Sequence, residues 1–403
     1  MEKTQLSVLV ALYTGNLSGI ETYAEQIAAS AAAANHQVTL VAGGDVAAGA
    51  LTRRFGSTPV RIVATERLSR SALRSAAGHV PTLALMEMRS LLARSLGRLG
   101  ERFDVAHLNH PALARAARPY VDRVVVGAWF YPHRPGARLV ETWRHTGAVF
   151  PKSAGLALKG LSHYWNDRQG YAASDVVVAP TELLAAQLGS LGIAAVACPP
   201  PARALDTHGP AGRGESLPED GRRRITICCG DLTHPRKNVR AGIQAVGLLA
   251  GGGMEIDLEL IGRNADDLAD LLDMLPASVR VVRAGRLQRA EVEDRLRNTN
   301  VLLVPSLYEE WGYVATEAAL EGTPVVALPV YPFVEILKSP FGVCASDMSP
   351  AALADALRHV LDTHPSRSLV ASTAEAMFGT GTIGERLTEI WSGPRRALAL
   401  VAT

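Results

Sequence analysis

The chain alternates short runs of branched apolar residues with longer stretches whose apolar positions recur every three or four residues. Residues 6–12 (LSVLVAL) are apolar at nearly every position and read as a strand buried on both faces. A helical pattern follows at 19–34, then a strand at 37–42. Further strands are predicted at 60–64, 104–108, 123–128, 175–179 and 193–198, with helices at 83–99 and 182–191. Such alternation predicts βαβ units, a parallel sheet and helices on both of its faces.

The pattern stops at 199–224 (PPPARALDTHGPAGRGESLPEDGRRR), which is dense in proline, glycine and charge and has no apolar period. A second series then begins. Strands are expected at 225–229, 256–261, 279–283, 301–305 and 324–328, with helices at 239–250, 265–275, 289–298 and 313–321 between and after them. Helices at 350–362 and 383–391 end the chain. The expected organisation is an α/β chain of two Rossmann-like, doubly wound domains facing a cleft. The first spans 1–200, the linker 201–223 and the second 224–380, with a C-terminal helix in 381–403. Ligands bind such sheets outside the strand C-termini, where loops and helix N-termini converge. Dehydrogenases share this architecture, so function has to be read from the site.

Composition agrees with two large cores: 48% of the 403 residues are hydrophobic and 20% charged. The four cysteines, Cys198, Cys228, Cys229 and Cys344, sit in apolar runs and read as small buried hydrophobes. No CxxC pair or HExxH spacing suggests a metal site. The N-terminus lacks the apolar core of a signal peptide, and no apolar run is long enough to span a membrane, so a cytoplasmic protein is expected. Net charge is +2, made of +7 in residues 1–200 and −5 in the remainder. Ten arginines lie between Arg53 and Arg102, and Arg94, Arg98 and Arg102 share one helical face. That stripe reads either as a solvated face or as a patch for an anionic acceptor or a peripheral membrane contact. No nucleic-acid motif accompanies it.

Chemistry concentrates in 301–328, VLLVPSLYEEWGYVATEAALEGTPVVAL. A strand ends at Pro305, a short loop carries Glu309 and Glu310, and a helix starts near Gly312, Tyr313 and Val314. Unpaired amides at that helix start would form an anion site, and Glu317 lies on the turn above them. Glu309 and Glu317 can then bracket a phosphate-linked sugar. The alternative is a helix whose acidic first turn only complements its dipole.

The stretch resembles the signature of the retaining GT-B glycosyltransferases of family 4, strand–PS-x-x-E-G-F-G-x-x-x-x-E-A–GTPVV. Pro305, Ser306, Glu309, Gly312, Glu317, Ala318, Gly322, Thr323 and Pro324 fall in register, and Glu309 and Glu317 match the family's E-x7-E pair. The resemblance implies that Glu317 binds the nucleotide ribose and Glu309 lies near the donor sugar. It extends to Gly19 in a glycine-rich loop under the donor diphosphate, and to Lys237 of Arg236-Lys237-Asn238 as a phosphate-binding lysine. Glu335 resembles a residue contacting the donor sugar. On the acceptor side, Phe103-Asp104-Val105-Ala106-His107 resembles a family strand end, bringing in His107 and Asn109, and Trp129 and His133 lie near the expected reaction centre. In the family the C-terminal helix often returns to the first domain.

Departures also appear. Asp231 replaces a family arginine, with Arg236 close enough in sequence to substitute. Asn109 replaces a histidine, and Ala128-Trp129 stands where many relatives carry one, leaving His133 to serve.

The expected reaction moves a sugar, with retention, from a nucleoside-diphosphate donor (a UDP- or GDP-sugar) to a small polar, glycan or lipid-linked acceptor. The diphosphate sugar is a co-substrate and no cofactor or metal is expected, because Lys237, Arg236, the Gly19 loop and the helix amides meet the leaving-group charge. Three other readings are open: a non-catalytic sugar-nucleotide-binding subunit, a GT-B epimerase or phosphorylase, and a nicotinamide dehydrogenase. The last lacks its G-x-G-x-x-G turn.

Overall fold

The structure is a computed structural model, and it describes residues 5–11, 19–66, 81–128, 166–202 and 221–393. The chain forms two compact units, one from residues 1–201 with 380–403 and the other from 202–379.

The first unit carries a seven-stranded sheet in the order β3-β2-β1-β4-β5-β6-β7, and every pairing is parallel. Its strands are β1 (Ser7–Ala11), β2 (Gln37–Ala42), β3 (Val60–Ala64), β4 (Phe103–Leu108), β5 (Val121–Gly127), β6 (Val176–Ala179) and β7 (Ala195–Ala197). Helices α1 (Gly19–Ala33), α2 (Asp45–Phe55), α3 (Pro81–Leu99) and α4 (Glu182–Gly189) connect them. β1 is buried from Val8 to Ala11, as expected for a central strand covered on both faces. α4 starts where the Thr181 hydroxyl accepts the Leu184 amide, an N-cap that turns the chain from strand into helix.

The second unit has a six-stranded parallel sheet, β10-β9-β8-β11-β12-β13. Its strands are β8 (Arg223–Asp231), β9 (Ile256–Arg263), β10 (Val279–Gly285), β11 (Val301–Val304), β12 (Val325–Ala327) and β13 (Gly342–Cys344). Around them lie α5 (Val239–Gly251), α6 (Arg289–Arg297), α7 (Tyr313–Leu320), α8 (Phe333–Ile336), α9 (Pro350–Thr363) and α10 (Arg367–Phe378). Ile225, Ile227, Leu258, Leu260 and Leu303 from three central strands meet Ile243, Val246, Leu353 and Leu357 from α5 and α9 in one core. The last helix, α11 (Thr380–Ser392), belongs to the first unit: it packs on α1 and buries Ile383, Leu387 and Trp391.

Two elements expected in other forms differ for physical reasons. The helix predicted over 265–275 is a 3₁₀ turn, Ala265–Leu268, followed by one short turn, Ala269–Leu272. Its acidic residues, Asp266, Asp267 and Asp270, leave only one narrow apolar edge to bury. α10 lies where no element was expected, and its N-terminal Arg367 is not a solvated cation. Instead its guanidinium is buried and donates to the carbonyls of Thr299, Arg297 and Glu321 and to the Thr323 hydroxyl. The turn that receives it requires Gly322, whose φ is +82° and where a methyl group would meet the Arg367 carbonyl at 2.7 Å.

Five of the ten arginines between Arg53 and Arg102 are ion-paired among the described residues. Arg54 pairs with Glu25, Arg61 with Glu101, Arg94 and Arg98 with Glu66, and Arg102 with Asp122, at 2.5–3.2 Å. Among the described residues no helix is long and apolar enough to cross a membrane.

Candidate nucleotide-sugar site

In the second sheet the strand order reverses between β8 and β11, because β9 and β10 follow β8 to one side and β12 and β13 follow β11 to the other. The loops leaving those two strands therefore diverge around an opening at the strand C-termini, where doubly wound sheets hold ligands. Both loops carry charge. The loop after β8 reaches the 3₁₀ turn Pro235–Lys237, and the loop after β11 carries Ser306 to Gly312.

Two ion pairs and a backbone hydrogen bond join these loops. The Lys237 ammonium donates to the Glu309 carboxylate at 2.5 Å, and the Ser306 hydroxyl donates to the same oxygen at 2.8 Å. Arg236 approaches Glu310 at 3.4 Å and lies 5.9 Å from the Tyr308 ring centroid. The Leu307 amide donates to the Arg236 carbonyl at 2.8 Å. Glu309 is buried, so the contact with Lys237 compensates a charge that would be costly alone. Burial pushes the Glu310 carboxyl above the ordinary glutamate range, and Arg236 opposes that rise only in part.

α7 begins directly after Glu309 and Glu310, with Gly312 as N-cap at φ +82°. Only glycine suits this position, because the Phe333 ring would lie 2.8 Å from any Cβ added there. Phe333 opens α8, the short helix that also carries the half-buried Glu335. Tyr313 and Val314 are the first two residues of α7, where backbone amides lack intrahelical acceptors. Glu317, on the next turn, pairs with Arg289 of α6 at 3.1 Å. Burial raises its pKa, and Arg289 draws it back.

Asp231 ends β8 beside a register shift in the β8–β9 pairing. Its carboxylate accepts the amide and hydroxyl of Thr233 and the side-chain amide of Asn264. It shapes the loop that delivers Arg236 and Lys237. Cys228 and Cys229 precede it as free thiols, pushed up by burial to about 12 and about 11.

The structure thus gathers Lys237, Arg236, Glu309, Gly312, Tyr313 and Val314 at one pair of loops, with Glu317 and Glu335 on the adjoining helices. Glu310, Arg289 and Tyr308 complete the set and were not singled out from sequence. Glu310 was visible only as the second member of a Glu-Glu pair, and Arg289 carried no signal, because its partner is 28 residues away.

The first unit differs. Its order reverses between β1 and β4. Gly19 opens α1 after β1, and Asn109 follows β4 as a buried side chain whose Oδ1 has no hydrogen-bond partner among the described residues. His107, which the resemblance brings to the acceptor side, is packed in the interior of the first unit. It is 1% exposed, Trp391 Nε1–H donates to its Nδ1 at 3.1 Å, and its Nε2 meets the Tyr23 hydroxyl at 2.6 Å. Burial lowers its pKa to about 3, so the ring is a neutral packing element with both nitrogens engaged. Trp129, His133 and residues 203–220 of the linker lie outside the described residues.

Comparison with known proteins agrees with this arrangement. Residues 18–200 match the family described as glycosyl transferase 4-like domain, and residues 214–377 match glycosyl transferases group 1. A D-inositol 3-phosphate glycosyltransferase from Kineococcus radiotolerans is 33% identical over 145 residues, 33% of each chain. A 2-deoxystreptamine glucosyltransferase from Streptomyces kanamyceticus is 32% identical over 149 residues, 36% of this chain and 38% of that protein. These matches span little more than a third of either curated relative. A sucrose-phosphate synthase from Thermosynechococcus elongatus shares the fold at a TM-score of 0.64 and 17% identity, covering 96% of this chain and 98% of that one. With two family matches covering both halves and the GT-B fold along nearly its whole length, the chain belongs to the GT-B glycosyltransferases of family 4 type.

Proposed function

We propose that the protein transfers a sugar, with retention, from a nucleoside-diphosphate donor held at the β8/β11 opening of its second unit. The observation that carries this reading is the Lys237–Glu309 pair, which sets a cation and a carboxylate side by side at the point of strand reversal. A diphosphate leaving group develops negative charge as the glycosidic bond breaks. Lys237, Arg236 and the amides of Gly312, Tyr313 and Val314 would receive that charge, without recourse to a metal. Glu309, released from Lys237 as the ammonium turns to phosphate, would accept hydrogen bonds from sugar hydroxyls. Glu317 would accept those of the ribose, and Glu335 would meet the sugar from α8.

The first unit would take the acceptor, with Asn109 contributing the buried amide oxygen. We take the acceptor to be a small polyhydroxylated molecule, in keeping with relatives named for D-inositol 3-phosphate and 2-deoxystreptamine. The ion-paired arginine stripe gives a lipid-linked acceptor or a membrane contact little support. Asp231 speaks less for a non-catalytic binder than sequence suggests, since its carboxylate is spent on the loop.

A thermal-shift screen with UDP, GDP, ADP, dTDP and their sugar conjugates, with NAD(H) as control, tests the donor half. Stabilisation by one diphosphate family, followed by slow donor hydrolysis without acceptor, is expected. Silence from every sugar nucleotide, or a response to NAD(H) alone, would reject the reading.

A further inference from the structure

We propose that Glu310 is a positioning residue that holds Arg236 back from a bound nucleoside diphosphate, through the ion pair that joins the two site loops. The inference rests on the donor site proposed above and adds a residue to it.

Three observations carry it. First, the two cations of the loop after β8 are each matched by a carboxylate of the loop after β11: Lys237 by Glu309, Arg236 by Glu310. The pairs are unequal. Lys237 makes a close contact with a buried acid, whereas Arg236 makes a single contact at 3.4 Å, with about a third of each side chain exposed. Second, the Arg236 Nε–H is buried and has no acceptor among the described residues. A guanidinium offers five donors in a planar fork, and an unanswered buried one marks a place for a further oxygen. Phosphate oxygens suit that fork. Third, Glu310 falls where the signature that this loop resembles has glycine. Arg236 is therefore placed to grip a diphosphate but is drawn aside by a neighbour. Tyr308 fixes the plane over which the guanidinium can swing.

The consequence is a donor site tuned below its full affinity, which favours release of the nucleoside diphosphate after transfer. Protonating Glu310 should loosen the restraint, and burial already raises the pH at which that happens. The groups facing Glu310 are Arg236 and Lys237 from one loop and Glu309 and Tyr308 from its own. His234 adjoins them through the Arg236 amide.

Calorimetric titration with UDP and GDP, on the full chain at low salt, provides the test. Glu310→Gln should tighten binding of the preferred diphosphate about two- to fivefold, the size of an exposed single-contact ion pair. Glu310→Ala should do the same if the Gln variant does not fold. The gain should vanish when Arg236→Gln is added. The gap between wild type and Glu310→Gln should narrow as pH falls, because a protonated Glu310 no longer holds the guanidinium. Unchanged or weaker binding in both Glu310 variants would overturn the proposal, as would a gain that survives Arg236→Gln. If wild type binds neither diphosphate, or Lys237→Ala leaves binding intact, the donor site itself is wrong and this inference falls with it. If Lys237→Ala abolishes binding and only the Glu310 arm fails, the donor site stands.

Discussion

The two sheets of this protein reverse their strand order in the same way, yet the two points of reversal are chemically opposite. In the second unit, Lys237, Arg236, Glu309 and Glu310 meet as two partly exposed ion pairs. In the first, the corresponding end of β4 turns inward, and His107 is locked between Tyr23 and Trp391. One topology thus supports a partly exposed polar site in one place and a closed aromatic packing in the other. The difference lies in what the neighbouring helix brings. α7 presents amides and a carboxylate to the opening, whereas α11 delivers an indole that fills the space behind β4.

The closed side can be broken by removing that indole. Trp391→Ala takes away the donor to His107 Nδ1 and leaves a cavity beside α1, and should destabilise the protein by about 3–5 kcal/mol. Urea unfolding followed by circular dichroism measures this. A loss below about 1 kcal/mol, within the range of surface substitutions, would mean that α11 is a loose appendage and not part of the first core. On the open side, Lys237→Ala leaves Glu309 as a buried carboxylate without its cation. It should weaken nucleoside-diphosphate binding by about 2–3 kcal/mol, as expected for a lost charge-assisted contact. Calorimetry decides it, and unchanged affinity would make the Lys237–Glu309 pair purely structural. Glu317→Ala should cost about 1–3 kcal/mol of nucleotide affinity by losing hydrogen bonds to a ribose. Equal binding of wild type and variant would assign Glu317 to α6–α7 packing through Arg289 instead.

Why one side was legible in sequence and the other was not follows from the same contrast. The βαβ series was readable because strands buried on both faces, such as residues 301–304, are continuously apolar. The donor loop was readable because Glu309, Gly312 and Glu317 lie within nine residues of one another and in register with a known signature. Glycine at 312 is demanded by a positive φ and by Phe333, a constraint that leaves a mark in the sequence. The packing of His107 was not legible because its partners come from Tyr23, 84 residues away, and Trp391, 284 away. A histidine at a strand end looks the same whether it faces ligand or core. The burial of Arg367 in α10 was illegible for a related reason: its four acceptors come from two other segments, 297–299 and 321–323, and no local pattern announces a buried arginine.

The sharpest use of the contrast is a proton titration of the closed side. Burial holds the folded His107 pKa at about 3, against about 6.5 for a free imidazole. The folded state therefore refuses a proton that the unfolded state accepts. A depressed folded pKa contributes stability that is present above about pH 6.5 and lost as pH falls towards 3. The slope between those limits approaches about 1.4 kcal/mol per pH unit for this one group. Comparing urea unfolding of wild type with His107→Gln at pH 7, 6 and 5 isolates it, because the other titrating groups are common to both proteins. Wild type should lose about 1 kcal/mol more than the variant between pH 6 and pH 5. Parallel slopes would mean that the imidazole meets solvent or an anion in solution. The end of β4 would then be an open ligand surface, and the contrast between the two units would disappear.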